Sequence, residues 1–226
     1  MRKSYLLTVA LVLAVAGGAA WLSDRSAALP EAVSLSARAQ EATPSSTVAL
    51  VPDMILGQSD APVEVVEYAS YTCPHCANFH DEVFARLKTD YIDTGKVKFV
   101  FREVYFDKFG LWASMVARCG GPEKYFGISD MIFETQRDWL APGGDNPNGI
   151  VDNLRKIGLK AGIDAGALDL CLKDSDMAKA MVAAYQEHAK ADKIEGTPTF
   201  IINGQSYSGE MPYADFAKII DEKLAN

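Results

Sequence analysis

Val63-Glu64-Val65-Val66-Glu67-Tyr68-Ala69-Ser70-Tyr71-Thr72-Cys73-Pro74-His75-Cys76 reads as a strand running into the start of a helix. Residues 63–68 have the β-branched and aromatic content of a strand. Pro74 suits a first helical turn, because its missing N–H would be unpaired there in any case. Phe79, Val83, Phe84 and Leu87 then recur at the spacing of an amphipathic helix. Val97-Lys98-Phe99-Val100-Phe101 predicts a second strand. Strand, helix and strand in this order make a βαβ unit, which predicts parallel pairing through a right-handed crossover.

Working outward, the period changes to that of helices at residues 111–119, 124–135, 150–159, 165–172 and 177–192. Residues 137–149, rich in Pro, Gly and Asn, read as a loop between them. β character returns at Thr199-Phe200-Ile201-Ile202. Asn203-Gly204 is a hairpin signal, and a short strand is expected around Tyr207. A final helix is expected from Tyr213 to Leu224. The plan is an α/β domain over residues 54–226 with a helical subdomain inserted at about residues 110–192.

The regular structure of the domain is expected to start near Ala61. Arg2 and Lys3 precede the apolar run from Tyr5 to Leu22, and small residues cluster at its end. Residues 1–22 therefore read as a signal peptide or, if retained, an N-terminal anchor, with delivery of the remaining chain outside the cytoplasm. Residues 23–53 read as a linker or mobile arm with a short helix around residues 31–40. The formal net charge of -8 leaves no basic stripe for phosphates and argues against a nucleic-acid partner.

Export changes how the 4 cysteines are read. Disulfide exchange needs a nucleophilic thiolate and a second thiol to resolve the mixed disulfide. A C-x-x-C pair at a helix start supplies both. Cys73 sits at the end where free N–H groups and the helix dipole favour the anion, so it is the attacking thiol. Cys76, one turn inward, is the resolving thiol. His75, between them, can donate a hydrogen bond or partial charge to the thiolate. A zinc site using His75, His80 or His188 lacks the second close pair that structural zinc requires. Cys119 and Cys171 fall in the expected helices. They read as a staple between two helices, against unpaired buried thiols or a second redox centre. Such a staple would stabilise by about 4 kcal/mol on the loop-entropy account. His80 and His188 read as surface residues without partners, Trp112 and Trp139 as candidates for the rim of a groove.

Ala61-Pro62-Val63, Glu67, Cys73-Pro74-His75-Cys76 and Gly196-Thr197-Pro198-Thr199-Phe200 with Asn203-Gly204 together resemble the DsbA family of periplasmic thiol–disulfide oxidoreductases. The resemblance runs from about Val51 to the C-terminus and implies a thioredoxin-like fold with an inserted helical subdomain. By it, Pro198 matches the cis-proline beside the cysteines. Thr197 takes a position that helps set redox behaviour and substrate selection. Glu67 matches a buried acid that accepts the Cys76 proton. It also implies cysteine-containing exported substrates, a membrane redox partner passing electrons to quinone, and no metal or organic cofactor. One departure is Thr197, where the best-known enterobacterial oxidases of the family carry valine and the isomerases of the superfamily carry threonine. An isomerase or reductase, including an oligomeric one, is therefore the first alternative to an oxidase. A chaperone or binding protein with structural cysteines is the second.

Overall fold

The computed structural model describes residues 50–225. The expected leader, and all but the last residues of the expected arm with its short helix, lie outside the described residues. Five strands form one mixed sheet in the order β1-β3-β2-β4-β5: β1 Met54–Leu56, β2 Val63–Ala69, β3 Val97–Glu103, β4 Thr199–Ile202 and β5 Gln205–Ser208. β2 is parallel to β3, pairing Val65 with Phe99 and Glu67 with Phe101. β4 lies antiparallel along the other side of β2 and sets Phe200 beside Glu67. β5 comes next through Asn203 and Gly204, both at positive φ, the backbone that an Asn-Gly hairpin turn requires.

β2 is buried along almost its whole length because both of its faces are covered. Alternate residues divide between two cores. Val65, Ala69, Phe99 and Phe101 join the main core, and Val66, Tyr68, Val100 and Val104 pack with Tyr185, Ile194 and Ile201 on the reverse face. The helix after β2, α1, covers residues 74–92. Pro74–Phe79 and Ala85–Leu87 are α-helical, and His80–Phe84 and Lys88–Ile92 are wider π turns. Its Phe79 meets Phe200 at 4.6 Å between ring centroids and its Phe84 meets Phe99 at 4.9 Å, so the stripe read from sequence is what seats the helix on the sheet.

Six helices separate β3 from β4: α2 Lys108–Cys119, α3 Pro122–Glu134, α4 Gln136–Leu140, α5 Pro147–Lys160, α6 Ala165–Cys171 and α7 Ser175–Ala191. α8, Tyr213–Leu224, ends the described chain and buries Phe216 and Ile220. Asp107, Asn146, Asp164 and Asp174 cap α2, α5, α6 and α7 by accepting from the first free N–H groups.

Two expectations are corrected. Regular structure begins at β1, before Ala61, because three residues are too few to show a period and β1 exists through pairing with β3. Within 137–149, expected to be a loop, α4 extends to Leu140 and α5 starts at Pro147. Asn146 and Pro147 are not loop punctuation but a cap and a first helical turn.

The inserted helices are tied to the sheet by a buried polar seam. Arg118 donates from Nε and Nη2 to the two Glu103 carboxylate oxygens, each at 2.7 Å, and the Tyr125 hydroxyl donates to the same carboxylate at 2.9 Å. The Tyr71 hydroxyl donates to Ser129 Oγ at 3.0 Å. Cys119 and Cys171 are joined in a disulfide with Cα atoms 5.9 Å apart, linking the ends of α2 and α6. Trp139 does not rim a groove; it is buried and its indole N–H donates to the Ile132 carbonyl at 2.9 Å. Trp112 is partly buried against the main core, its ring edge-on to Phe109. His188 is partly buried, 3.8 Å from Asp53, and is not partnerless.

Candidate active site

The chain leaves β2 at Ala69 and turns sharply into α1. Cys73 N–H donates to the Ser70 carbonyl at 3.0 Å, and the Thr72 hydroxyl donates to Asp107 at 2.9 Å. Gln136 of α4 reaches into this turn and donates from Nε2 to the carbonyls of Tyr71 at 2.8 Å and Cys73 at 2.9 Å. Cys73 is thereby held as the N-cap of α1 in extended backbone, and Pro74 opens the helix. The buried amide of Gln136 is a part of the site that sequence reasoning missed.

Cys73 and Cys76 are both free thiols and both buried, Cys76 completely and Cys73 to 9% exposure. Their acidities diverge. The Cys73 thiol is lowered to about 5 by a hydrogen bond from Cys76, helped by Thr197 and the backbone N–H groups of Cys76 and His75, against a burial that works the other way. Cys76 is pushed far up by burial, and the neighbouring Cys73 sulfur and the Glu67 carboxylate add to the rise.

Opposite Cys73 lies the start of β4. The Thr197–Pro198 peptide is cis, and the Thr197 carbonyl accepts from Cys73 Sγ at 3.5 Å. The Thr197 hydroxyl is buried with no partner, free to turn to the Cys73 thiolate. Pro198 is anchored by Gly209 N–H, which donates to its carbonyl at 2.8 Å. Thr197, and with it the cis bond to Pro198, is thus brought to Cys73 across 124 positions of sequence.

His75 is placed differently from the expectation. Its exposed ring turns away, Nδ1 3.0 Å from Glu210 in the segment after β5, and the part of His75 that favours the thiolate is its backbone N–H. Glu67 is fully buried between Phe101 and Phe200, and its Oε2 lies 3.0 Å from His80 Nε2. His80, expected on the surface, is only 8% exposed. The spacing offered a signal for this: four residues after Cys76 is the same helix face one turn on, and Cys76 faces the sheet. Among the described residues, no cluster of His, Cys, Asp or Glu could hold a metal ion.

An extended strand leading into a thiolate at a helix start, faced by a cis-proline, defines a thioredoxin-type redox site. Residues 49–222 match the thioredoxin family model, and the chain belongs to that family. Among curated relatives, a Rickettsia bellii protein named for protein-disulfide oxidoreductase activity is 37% identical over 174 residues, covering 75% of this chain and 65% of its own length. Disulfide bond formation protein D of Bacillus subtilis is 28% identical, with 75% of this chain and 76% of that protein aligned. The chain thus spans somewhat less than two thirds of the length of the Rickettsia relative. Of solved structures, Wolbachia pipientis alpha-DsbA1 superposes with a TM-score of 0.72 at 29% identity, covering 79% of this chain and 94% of that one. Oxidised BdbD of Bacillus subtilis gives 0.66 at 26%, covering 79% and 98%. The resemblance to DsbA proteins and the thioredoxin-like α/β fold with inserted helices are both borne out.

Proposed function

We propose that the protein is an exported thiol–disulfide oxidoreductase that introduces disulfides into folding, cysteine-containing proteins through Cys73 and Cys76. The observation that carries this reading is the opposed acidity of the two sulfurs, with Cys73 lowered to about 5 and Cys76 raised. A low thiolate pKa makes Cys73 a good leaving group and stabilises the reduced protein, so the disulfide is readily given away.

The cycle starts from the Cys73–Cys76 disulfide. A substrate thiolate attacks Cys73 Sγ, the Cys73–Cys76 bond breaks, and Cys76 leaves with the electron pair and takes up a proton. A second substrate thiolate then attacks the substrate sulfur of the mixed disulfide and expels Cys73 as a stable thiolate. Glu67 serves as proton donor and acceptor for Cys76, and Pro198 with Thr197 presents backbone to the substrate. Cys119–Cys171 takes no part and acts as a staple. Reoxidation falls to a membrane partner in the periplasm, as in the family the chain resembles; the basic and apolar start of the sequence supports that location.

Thr197 favours a second reading, isomerisation by a protein kept reduced. Two measurements separate them: the Cys73–Cys76 reduction potential against glutathione, and turnover on a reduced unfolded protein compared with a scrambled one. Disulfide donation requires a potential well above the roughly −270 mV of thioredoxin and faster oxidation than reshuffling. A potential near that of thioredoxin would overturn the oxidase reading. Full activity in Cys73→Ser would overturn both.

A further inference from the structure

Cys76 must gain a proton when the active-site disulfide opens and lose it when the disulfide closes, yet it is sealed from water. Its neighbour Glu67 is equally sealed, so a single buried carboxylate can only hold that proton and must itself be served from outside. We propose that His80 completes a proton path, linking Cys76 through Glu67 to a groove on the flank of α1. This deepens the function proposed above and rests on it.

The geometry is a chain of two-ended groups. Glu67 Oε2 meets His80 Nε2 at 3.0 Å, while Glu67 Oε1 and His80 Nδ1 are buried with no hydrogen-bond partner. Two unpaired polar atoms in one buried contact carry a cost that packing alone does not explain. Glu67 lies within electrostatic reach of Cys76 and His80 lines an open groove, so the two unpaired atoms belong to the two ends a relay needs. The imidazole is held flat on Phe133 at 4.1 Å between ring centroids and crowded by Phe84 at 4.7 Å, so it cannot swing away. His80 also opens the π turn His80–Phe84, a local widening of α1 of a kind that recurs at functional sites.

Beyond the ring lies a groove of about 330 Å³ between α1 and α3, lined by His80, Asp130, Glu134, Asp81 and Lys88 among others. Asp130 and Glu134 line it from α3, Asp81 and Lys88 from α1, and Glu67 meets the ring from β2. Burial raises the Asp130 carboxyl, while the charge of His80 works against that rise, so Asp130 lies within electrostatic reach of the ring and is suited to trade protons.

In the closing step the Cys76 proton goes to the Glu67 carboxylate, the acid so formed passes a proton to His80 Nε2, and His80 releases one from Nδ1 to Asp130 or water. The Cys76 electron pair forms the bond to Cys73 Sγ, and the sulfur bonded to Cys73 departs as a thiolate. Each relay group gives one proton for each it takes, so no net charge is added to the core. The opening step runs the same path inward.

His80→Gln keeps an amide toward Glu67 but cannot pass a proton between two nitrogens. The test loads Cys73 with glutathione and follows closure by Cys76 across pH. Closure in His80→Gln is expected to fall by roughly 100-fold with an altered pH profile, the scale of a lost acid–base group. Alkylation of Cys73 in the reduced protein should keep its pH dependence. Imidazole in the buffer should restore part of the rate in His80→Ala, which a purely structural role for the ring would not allow. Closure rates within about twofold of the parent, or a slow His80→Ala that imidazole does not help, would overturn the relay. If neither variant folds, closure in mixtures of light and heavy water decides: a curved dependence indicates several protons in flight, and a straight line overturns the path. Failure of the parent protein to exchange with glutathione at all would instead overturn the proposed function.

Discussion

Cys73 and Cys76 are the same side chain one helical turn apart, and what separates them is which groups face each sulfur. N–H and S–H donors converge on Cys73, whereas Cys76 meets burial and the carboxylate of Glu67. Thr197 holds a removable part of this difference, since its unpaired hydroxyl is placed to serve the thiolate. Thr197→Val deletes the hydroxyl at nearly constant volume. A hydrogen bond to a charged group is worth roughly 1.5–3 kcal/mol, so the Cys73 pKa is expected to rise by about one to two pH units. Thiolate absorbance against pH measures it, and an unchanged midpoint would show that the Cys76 thiol and the backbone N–H groups of Cys76 and His75 do the work.

At the scale of elements, the insertion is joined to the sheet by a charge pair and a covalent bond of different character. Glu103 and Arg118 are both nearly sealed from water, with side-chain exposures of 5% and 6%. Arg118→Met leaves the Glu103 carboxylate buried with only the Tyr125 hydroxyl for company. Removing one partner of such a pair is expected to cost about 3–5 kcal/mol, read by urea unfolding of the reduced and oxidised protein alike. The Cys119–Cys171 bridge closes a loop of 52 residues, and its loss in the double serine variant is expected to cost about 4 kcal/mol. That loss should leave the Cys73 titration in place, because the bridge lies at the far ends of α2 and α6; a moved midpoint would mean that the insertion tunes the site.

Legibility in the sequence depends on distance along the chain. β2, α1 and β3 were readable because their periods are local, and Cys73 and Cys76 because a helix start acts on its own residues. Pro198 and Glu67 came into view only through a family resemblance, since a strand residue and a proline 131 positions apart carry no mark of meeting. Gln136 left no signal at all: an amide reaching back to two carbonyls looks like any polar residue beside a loop. His80 left one, its spacing from Cys76, which the surface reading of an unpartnered histidine overrode. Buried polar contacts are made by tertiary structure, and the periods that reveal helices and strands say little about them.

For the molecule as a whole, the acidity of one sulfur links redox state to fold stability. Cys73 titrates at about 5 in the folded reduced protein against 9.0 for an ordinary thiol. A depressed acid contributes all its stabilisation above the unfolded value and loses it as pH falls through the folded one. Near pH 7 the folded thiol is ionised and the unfolded thiol is not, which favours the reduced fold by roughly 3 kcal/mol; near pH 4 that preference is gone. The oxidised protein has no thiolate and lacks this dependence, and Cys76 stays protonated in both folded and unfolded chains near neutrality. The melting temperature of the reduced form, relative to the oxidised form, is therefore expected to climb by roughly 6–12 °C between about pH 4 and about pH 7. The bridge between Cys73 and Cys76 adds an offset that does not vary with pH, so the slope and not the sign at one pH carries the test. Parallel melting curves for the two forms across that window would mean that Cys73 titrates near an ordinary thiol, and the protein would lose its reason to give its disulfide away.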